Sequence, residues 1–99
     1  MMLFIRLCLD RPGMAATRAE LRSQHRAYFM PNLEEGAVVS LRQAGPLRTD
    51  DPDGSMIGSF MVLEAPTIDD VRRFHEGDPF TLAGLFSQVH IHGWDRHIG

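Results

Sequence analysis

Four apolar runs of strand length, interrupted by two helix-patterned stretches, leave this chain few ways to fold. The runs cover residues 3–9, 37–44, 55–64 and 85–94. Asp10-Arg11-Pro12-Gly13 closes the first with a turn, Gly45-Pro46-Leu47 ends the second, and Thr49-Asp50-Asp51-Pro52-Asp53-Gly54 is a hairpin-loop signal before the third. Thr17-Arg18-Ala19-Glu20 has the spacing of a capping box and predicts a helix from there to Met30, stopped by Pro31 and Gly36. Leu21, His25, Tyr28 and Phe29 share one side of that helix, and Arg18, Arg22 and Arg26 form a neighbouring stripe. A second helix opens at Thr67 as N-cap with Asp69 and Asp70 in its first turn, turns Val71 and Phe74 toward the sheet, and ends at Gly77. A short helical turn is expected over residues 81–84.

The resulting order, β-α-β-β-α-β, is the ferredoxin-like split βαβ, an α+β arrangement. Two right-handed crossovers put both helices on one face of a four-stranded antiparallel sheet. A chain of 99 residues supports one hydrophobic core, so residues 1–99 are read as one domain. The opposite sheet face is expected to carry Phe4, Phe60, Val62, Phe86 and Trp94. That much bare apolar surface calls for a cover. The expectation is a homodimer, two sheets packed face to face into a barrel-like shape.

Composition removes several function classes. The net charge of −3 is wrong for a nucleic-acid groove, and all ten basic residues are Arg, which excludes Schiff-base lysine chemistry. Cys8 is the sole cysteine, so no internal disulfide forms and a cytoplasmic setting is expected. Arg6 interrupts the N-terminal apolar run too early for a signal peptide, and no run is long enough to span a membrane. His90 and His92 share one side of the last strand and His97 follows, but a metal site needs a further convergent ligand, so none is expected. Cys8 reads as a small core residue without an activating positive neighbour.

The candidate site begins at Asp78-Pro79-Phe80. Pro79 fixes the corner at which Asp78 sits, beside apolar residues, and a carboxylate there needs a partner. The topology brings the end of the second helix near the C-terminal half of the first, which makes His25 the candidate partner. Asp78 would fix the tautomer of His25, leaving the other ring nitrogen as a general base or acid. The simpler alternative has Asp78 capping a turn and His25 packing beside Tyr28. Gly45, Pro46 and Ser59 are candidate pocket residues because Gly admits close approach of a ligand, and Arg22 and Tyr28 are candidates for a substrate carboxylate or hydroxyl.

Arg22-Ser23-Gln24-His25, Ala44-Gly45-Pro46-Leu47, Asp53-Gly54 with Ile57-Gly58-Ser59, Asp78-Pro79-Phe80 through Ala83-Gly84-Leu85-Phe86, and Val89-His90-Ile91-His92-Gly93-Trp94 together resemble the YciI-like (YCII-related) family of small bacterial proteins. Ser23 stands where family members often carry Pro. The resemblance implies a dimeric α+β barrel, similar in shape to muconolactone isomerases, with a His–Asp pair proposed as catalytic dyad; the matching residues are His25 and Asp78. One branch resembles a dehydrochlorinase acting on chlorinated hydroxyhydroquinones. Two function classes follow. One is a cofactor-independent lyase or isomerase acting on a small phenolic or cyclic acid. The other is a non-catalytic dimeric module that binds a small molecule in the same cleft.

Overall fold

The computed structural model describes residues 2–99. Its elements follow in the order β1 (Met2–Asp10), α1 (Ala15–Phe29), a 3₁₀ turn (Met30–Leu33), β2 (Ser40–Arg48), β3 (Met56–Ala65), α2 (Ile68–Gly77), α3 (Pro79–Leu82) and β4 (Phe86–Gly93). The sheet is antiparallel with strand order β2-β3-β1-β4, the expected ferredoxin-like α+β arrangement. No helix among the described residues is long and apolar enough to cross a membrane.

Alternation along β1 sets the layers. Phe4, Arg6 and Cys8 are buried beneath the helices, while Leu3, Ile5, Leu7 and Leu9 point to the other face and are half-buried. The register carries that division across the sheet: Phe4 pairs with Leu63, Arg6 with Met61 and Cys8 with Ser59. One core cluster joins Phe4, Leu41, Met61 and Leu63 to Val71 and Phe74 of α2. A second joins Cys8 to Phe80, Leu85 and Phe86. Each fully buried aliphatic or aromatic side chain contributes about 1.5–3 kcal/mol, so the two clusters fix α2 and α3 firmly against the sheet.

Local chemistry explains the ends of α2. Thr67 and Asp70 form a reciprocal capping box, and Asp69 and Asp70 complement the helix N-terminus. At α1 the expectation fails. The helix begins at Ala15 with Met14 as N-cap and no side-chain cap, and its first bond runs from Arg18 N–H to Met14. Thr17 thus lies inside the first turn, where its hydroxyl cannot cap. β2 also runs further than its turn residues suggest. Gly45 and Pro46 lie within the strand, which tolerates a proline because β2 is an edge. The short helix is Pro79–Leu82, earlier than residues 81–84, because Asp78 caps it and Pro79 starts it.

The open face differs in membership from the expectation. Phe60 and Val62 lie on it, opposite Leu7 and Ile5. Phe4 is in the helix-side core. Phe86 packs there too, against Phe80, because a register shift between Leu9 and Asp10 breaks the alternation of β4. Trp94 follows the end of β4 and is only partly exposed. The face is therefore carried by Leu3, Ile5, Leu7, Leu9, Phe60 and Val62, with His90 and His92 on its β4 side.

At Gly58 the backbones of β1 and β3 leave no room for a side chain: a Cβ there would clash with the backbone oxygen of Cys8. Gly58→Ala is expected to lower stability by about 1–3 kcal/mol, the usual penalty of overpacking, measured by urea unfolding. An unchanged midpoint would show that β1 and β3 can separate locally without loss.

Candidate active site

Asp78 sits where α2 ends and α3 begins, fully shielded from solvent. Its two oxygens are used differently. Oδ1 accepts from the Phe80 backbone N–H at 2.9 Å and lies 2.8 Å from His25 Nδ1. Oδ2 accepts from Arg6 Nη2 at 2.8 Å. Burial pushes the Asp78 carboxyl up, but the His25 hydrogen bond, the Arg6 guanidinium and the Phe80 N–H together outweigh it and hold the group below its ordinary value. The carboxylate is therefore ionised and can only accept. His25 Nδ1 must then carry the proton, and in the neutral ring Nε2 keeps its lone pair. Among the described residues nothing bonds Nε2, and it is not sealed off.

His25 rests on a firm bed. Its ring stacks on Phe80 with centroids 4.0 Å apart and planes within 10°, and meets Phe29 edge-on at 5.1 Å. Only 10% of the side chain is exposed, on the wall of a cleft of about 260 Å³ between α1 and the β2–β3 hairpin. Arg22, Gly45, Pro46 and Ser59, all picked out in the sequence, line the same cleft. Ser59 accepts from Arg18 Nη2 at 2.9 Å, so its hydroxyl is committed to a partner.

Tyr28 does not join this group. Its hydroxyl donates to the Phe74 backbone oxygen at 2.8 Å, tying α1 to α2, and burial pushes the phenol up so that it stays a donor. One helical step separates Tyr28 from the cleft-facing stripe, which passes through residues 18, 22, 25, 26 and 29 instead.

Arg6, Arg18 and Arg26 also belong to the site, although the sequence alone does not assign them to it. Arg6 is fully buried between the rings of Phe74 and Phe86, and its Nε and Nη1 have no partner among the described residues. An arginine at the centre of a strand that is apolar on both faces was the available signal: a buried cation requires an anion. Arg18 is held by Asp10 through two bonds of 2.6 and 2.9 Å and lies over the Phe80 ring at 4.7 Å. Arg26 completes the cleft's basic side.

The remaining chemistry-bearing residues lie elsewhere. The Cys8 thiol is fully buried and is pushed up by burial, which suppresses the thiolate. His90 and His92 stack on the open face at 6.3 Å, and no group of three potential metal ligands occurs among the described residues.

Among curated proteins no sequence matches the chain. Solved structures do. The 5-chloro-2-hydroxyhydroquinone dehydrochlorinase TftG of Burkholderia phenoliruptrix, in complex with 2,5-dihydroxybenzoquinone, is 36% identical with a TM-score of 0.82, over 95% of this chain and 94% of that one. The cofactor-independent oxygenase SnoaB of Streptomyces nogalater is 17% identical with a TM-score of 0.55, over 99% of this chain and 94% of that one. PA3566 of Pseudomonas aeruginosa is also 17% identical with a TM-score of 0.55, over 98% and 94% of the two chains. The last two share the fold alone. The profile of the YCII-related domain matches residues 2–95, nearly the whole chain. With fold, motif order and profile in agreement, the chain belongs to the YCII-related family.

Proposed function

We propose that the chain is a cofactor-independent lyase or isomerase in which His25 and Asp78 act as a general acid/base pair on a small phenolic or cyclic acid. The observation that carries this reading is the 2.8 Å contact of His25 Nδ1 with Asp78, at the wall of a cleft into which the second ring nitrogen is free to act. Asp78 orients the imidazole, and Arg6 and the Phe80 N–H orient Asp78. Such a pair moves protons, and the Ser59 hydroxyl in the same cleft is engaged by Arg18.

Dehydrochlorination needs no more than that. A base takes a phenolic proton and returns it to the ring carbon bearing chlorine, which becomes tetrahedral. Loss of a second phenolic proton then expels chloride with the electron pair of its bond. The ring ends as a quinone and the net loss is HCl. Isomerisation uses the first half of the same sequence. The dehydrochlorinase activity of the 36%-identical relative supports this reaction class. The test is a panel of chlorinated hydroquinones, phenols and lactones, followed by chloride release and quinone absorbance. Chloride release with quinone formation, or a shifted double bond, is expected from the wild-type chain. Ligand binding without turnover across the panel would leave a small-molecule-binding module.

The working form is proposed to be a homodimer in the cytoplasm. Leu3, Ile5, Leu7, Leu9 and Phe60 remain half-buried on one apolar face, with Val62 already shielded among them, and a second sheet packed on it would remove the remaining surface from water. Sedimentation at micromolar concentration is expected to give twice the 11.2 kDa chain mass. A clean 11.2 kDa species would rule the dimer out.

A further inference from the structure

The chain carries 13 acidic residues and a net charge of −3, yet no acidic side chain lines the cleft. Its charged lining is Arg18, Arg22 and Arg26 with His25 beside them. The three arginines are not equivalent. Arg18 is neutralised by the two-point contact with Asp10 and serves as a wall. Arg22 and Arg26 have no ion-pair or hydrogen-bond partner among the described residues. They lie one turn apart on α1, which places two like charges side by side, an unfavourable arrangement unless something negative joins them. The rest of the lining is largely apolar: Phe29 on the same helix, Phe80, and Pro46, Met56 and Met61 of the sheet.

We infer that this cleft selects its ligand as an anion: a planar aromatic or quinonoid ring carrying phenolate, enolate or carboxylate charge, held by Arg22 and Arg26 within reach of His25. The inference rests on the acid/base reading for the role of His25, but not for the binding itself. Arg22 and Arg26 line the cleft from exposed positions on α1, where two unpaired cations raise the local concentration of anionic ligands. The geometry also separates two jobs. The anionic substituent is fixed by the exposed arginines of α1, while the proton to be moved meets the one cleft nitrogen with a free lone pair. A ligand with no charge satisfies the aromatic wall but leaves Arg22 and Arg26 unpaired, so specificity is for charge before shape.

The test is titration calorimetry with three probes at neutral pH: 2,5-dihydroxybenzoquinone, which ionises readily, and the matched pair salicylate and salicylamide. The anions are expected to bind and salicylamide to bind at least about tenfold more weakly, the scale of one charge-assisted hydrogen bond. Raising ionic strength is expected to weaken the anions only. R22M and R26M should each lower anion affinity about tenfold, with salicylamide unaffected; both residues are exposed on a helix, and unchanged urea unfolding will confirm intact folds. Equal binding of salicylate and salicylamide, full anion affinity in the double variant, or no anion binding at all would overturn the inference. Anion binding that depends on both arginines, without turnover of any substrate, would uphold it while removing the catalytic reading.

Discussion

Replacing Asp78 by Asn is expected to abolish turnover and to lower the stability of the fold by about 3–5 kcal/mol, the range for removing one partner of a buried ion pair. The carboxylate is fully shielded and so is Arg6 across from it. Asn keeps the shape and an acceptor for the Phe80 N–H, but it leaves the Arg6 guanidinium buried between Phe74 and Phe86 with no counter-charge. Urea unfolding gives the magnitude. The cause is separable with a second variant: D78N combined with Arg6→Met removes both charges and should recover much of the loss, because an apolar replacement of a buried pair is often close to neutral. Turnover should stay lost in the double variant, since His25 is left without its orienting carboxylate.

The same carboxyl predicts the acid behaviour. Its folded value is depressed below the ordinary one by its hydrogen bond with His25, by Arg6 and by the Phe80 N–H, which outweigh the upward push of burial. A depressed acid contributes stability above its unfolded value of about 4 and loses that contribution as pH falls through the lower folded value. Wild-type stability is therefore expected to fall below about pH 4, and D78N should lose part of that dependence. A wild-type curve as flat as that of D78N would mean that Asp78 is not the group responsible.

How far the sequence could be read follows from how local each signal is. The N-cap at Thr67 and the turn at Asp78-Pro79 are decided by neighbouring residues, and both are where the sequence puts them. The strand order follows from the run of elements and the handedness of crossovers, which makes a meeting of His25 with Asp78 possible but does not set its distance. What failed depended on distant partners. Thr17 has the residues of a cap, but the chain enters the helix earlier. Strict alternation places Phe86 on the open face, and one register shift in β4 moves it to the core. Tyr28 shares a helix side with His25 in a coarse count, yet the Phe74 carbonyl captures its hydroxyl. The largest departure is at Arg6. Its burial makes Asp78 both part of a structural ion pair and the partner of His25. Loss of stability on cutting Asp78 therefore cannot separate a structural role from a catalytic one, and the separation has to be made at His25.

His25→Gln makes that separation. Turnover is expected to fall about 10²–10⁴-fold, the usual contribution of a positioned acid/base group, with stability changed by no more than about 1 kcal/mol. The asymmetry with D78N has a structural cause. His25 lies at the cleft wall with part of its ring exposed, and removing it leaves Asp78 still bonded to Arg6 and to the Phe80 N–H. The Gln amide can still donate toward Asp78 Oδ1, so no buried charge loses its only partner. What it lacks is the second nitrogen: Gln has no lone pair able to take a proton near neutral pH. Affinity for an anionic ring should persist, because Arg22 and Arg26 are untouched. A fall in kcat at nearly constant ligand Kd and constant urea midpoint is the signature of a group that acts in the chemical step. Turnover preserved in H25Q would remove His25 from the reaction. A stability loss as large as that of D78N would make the imidazole a structural partner of Asp78, packed against Phe80 for the fold and not for the ligand.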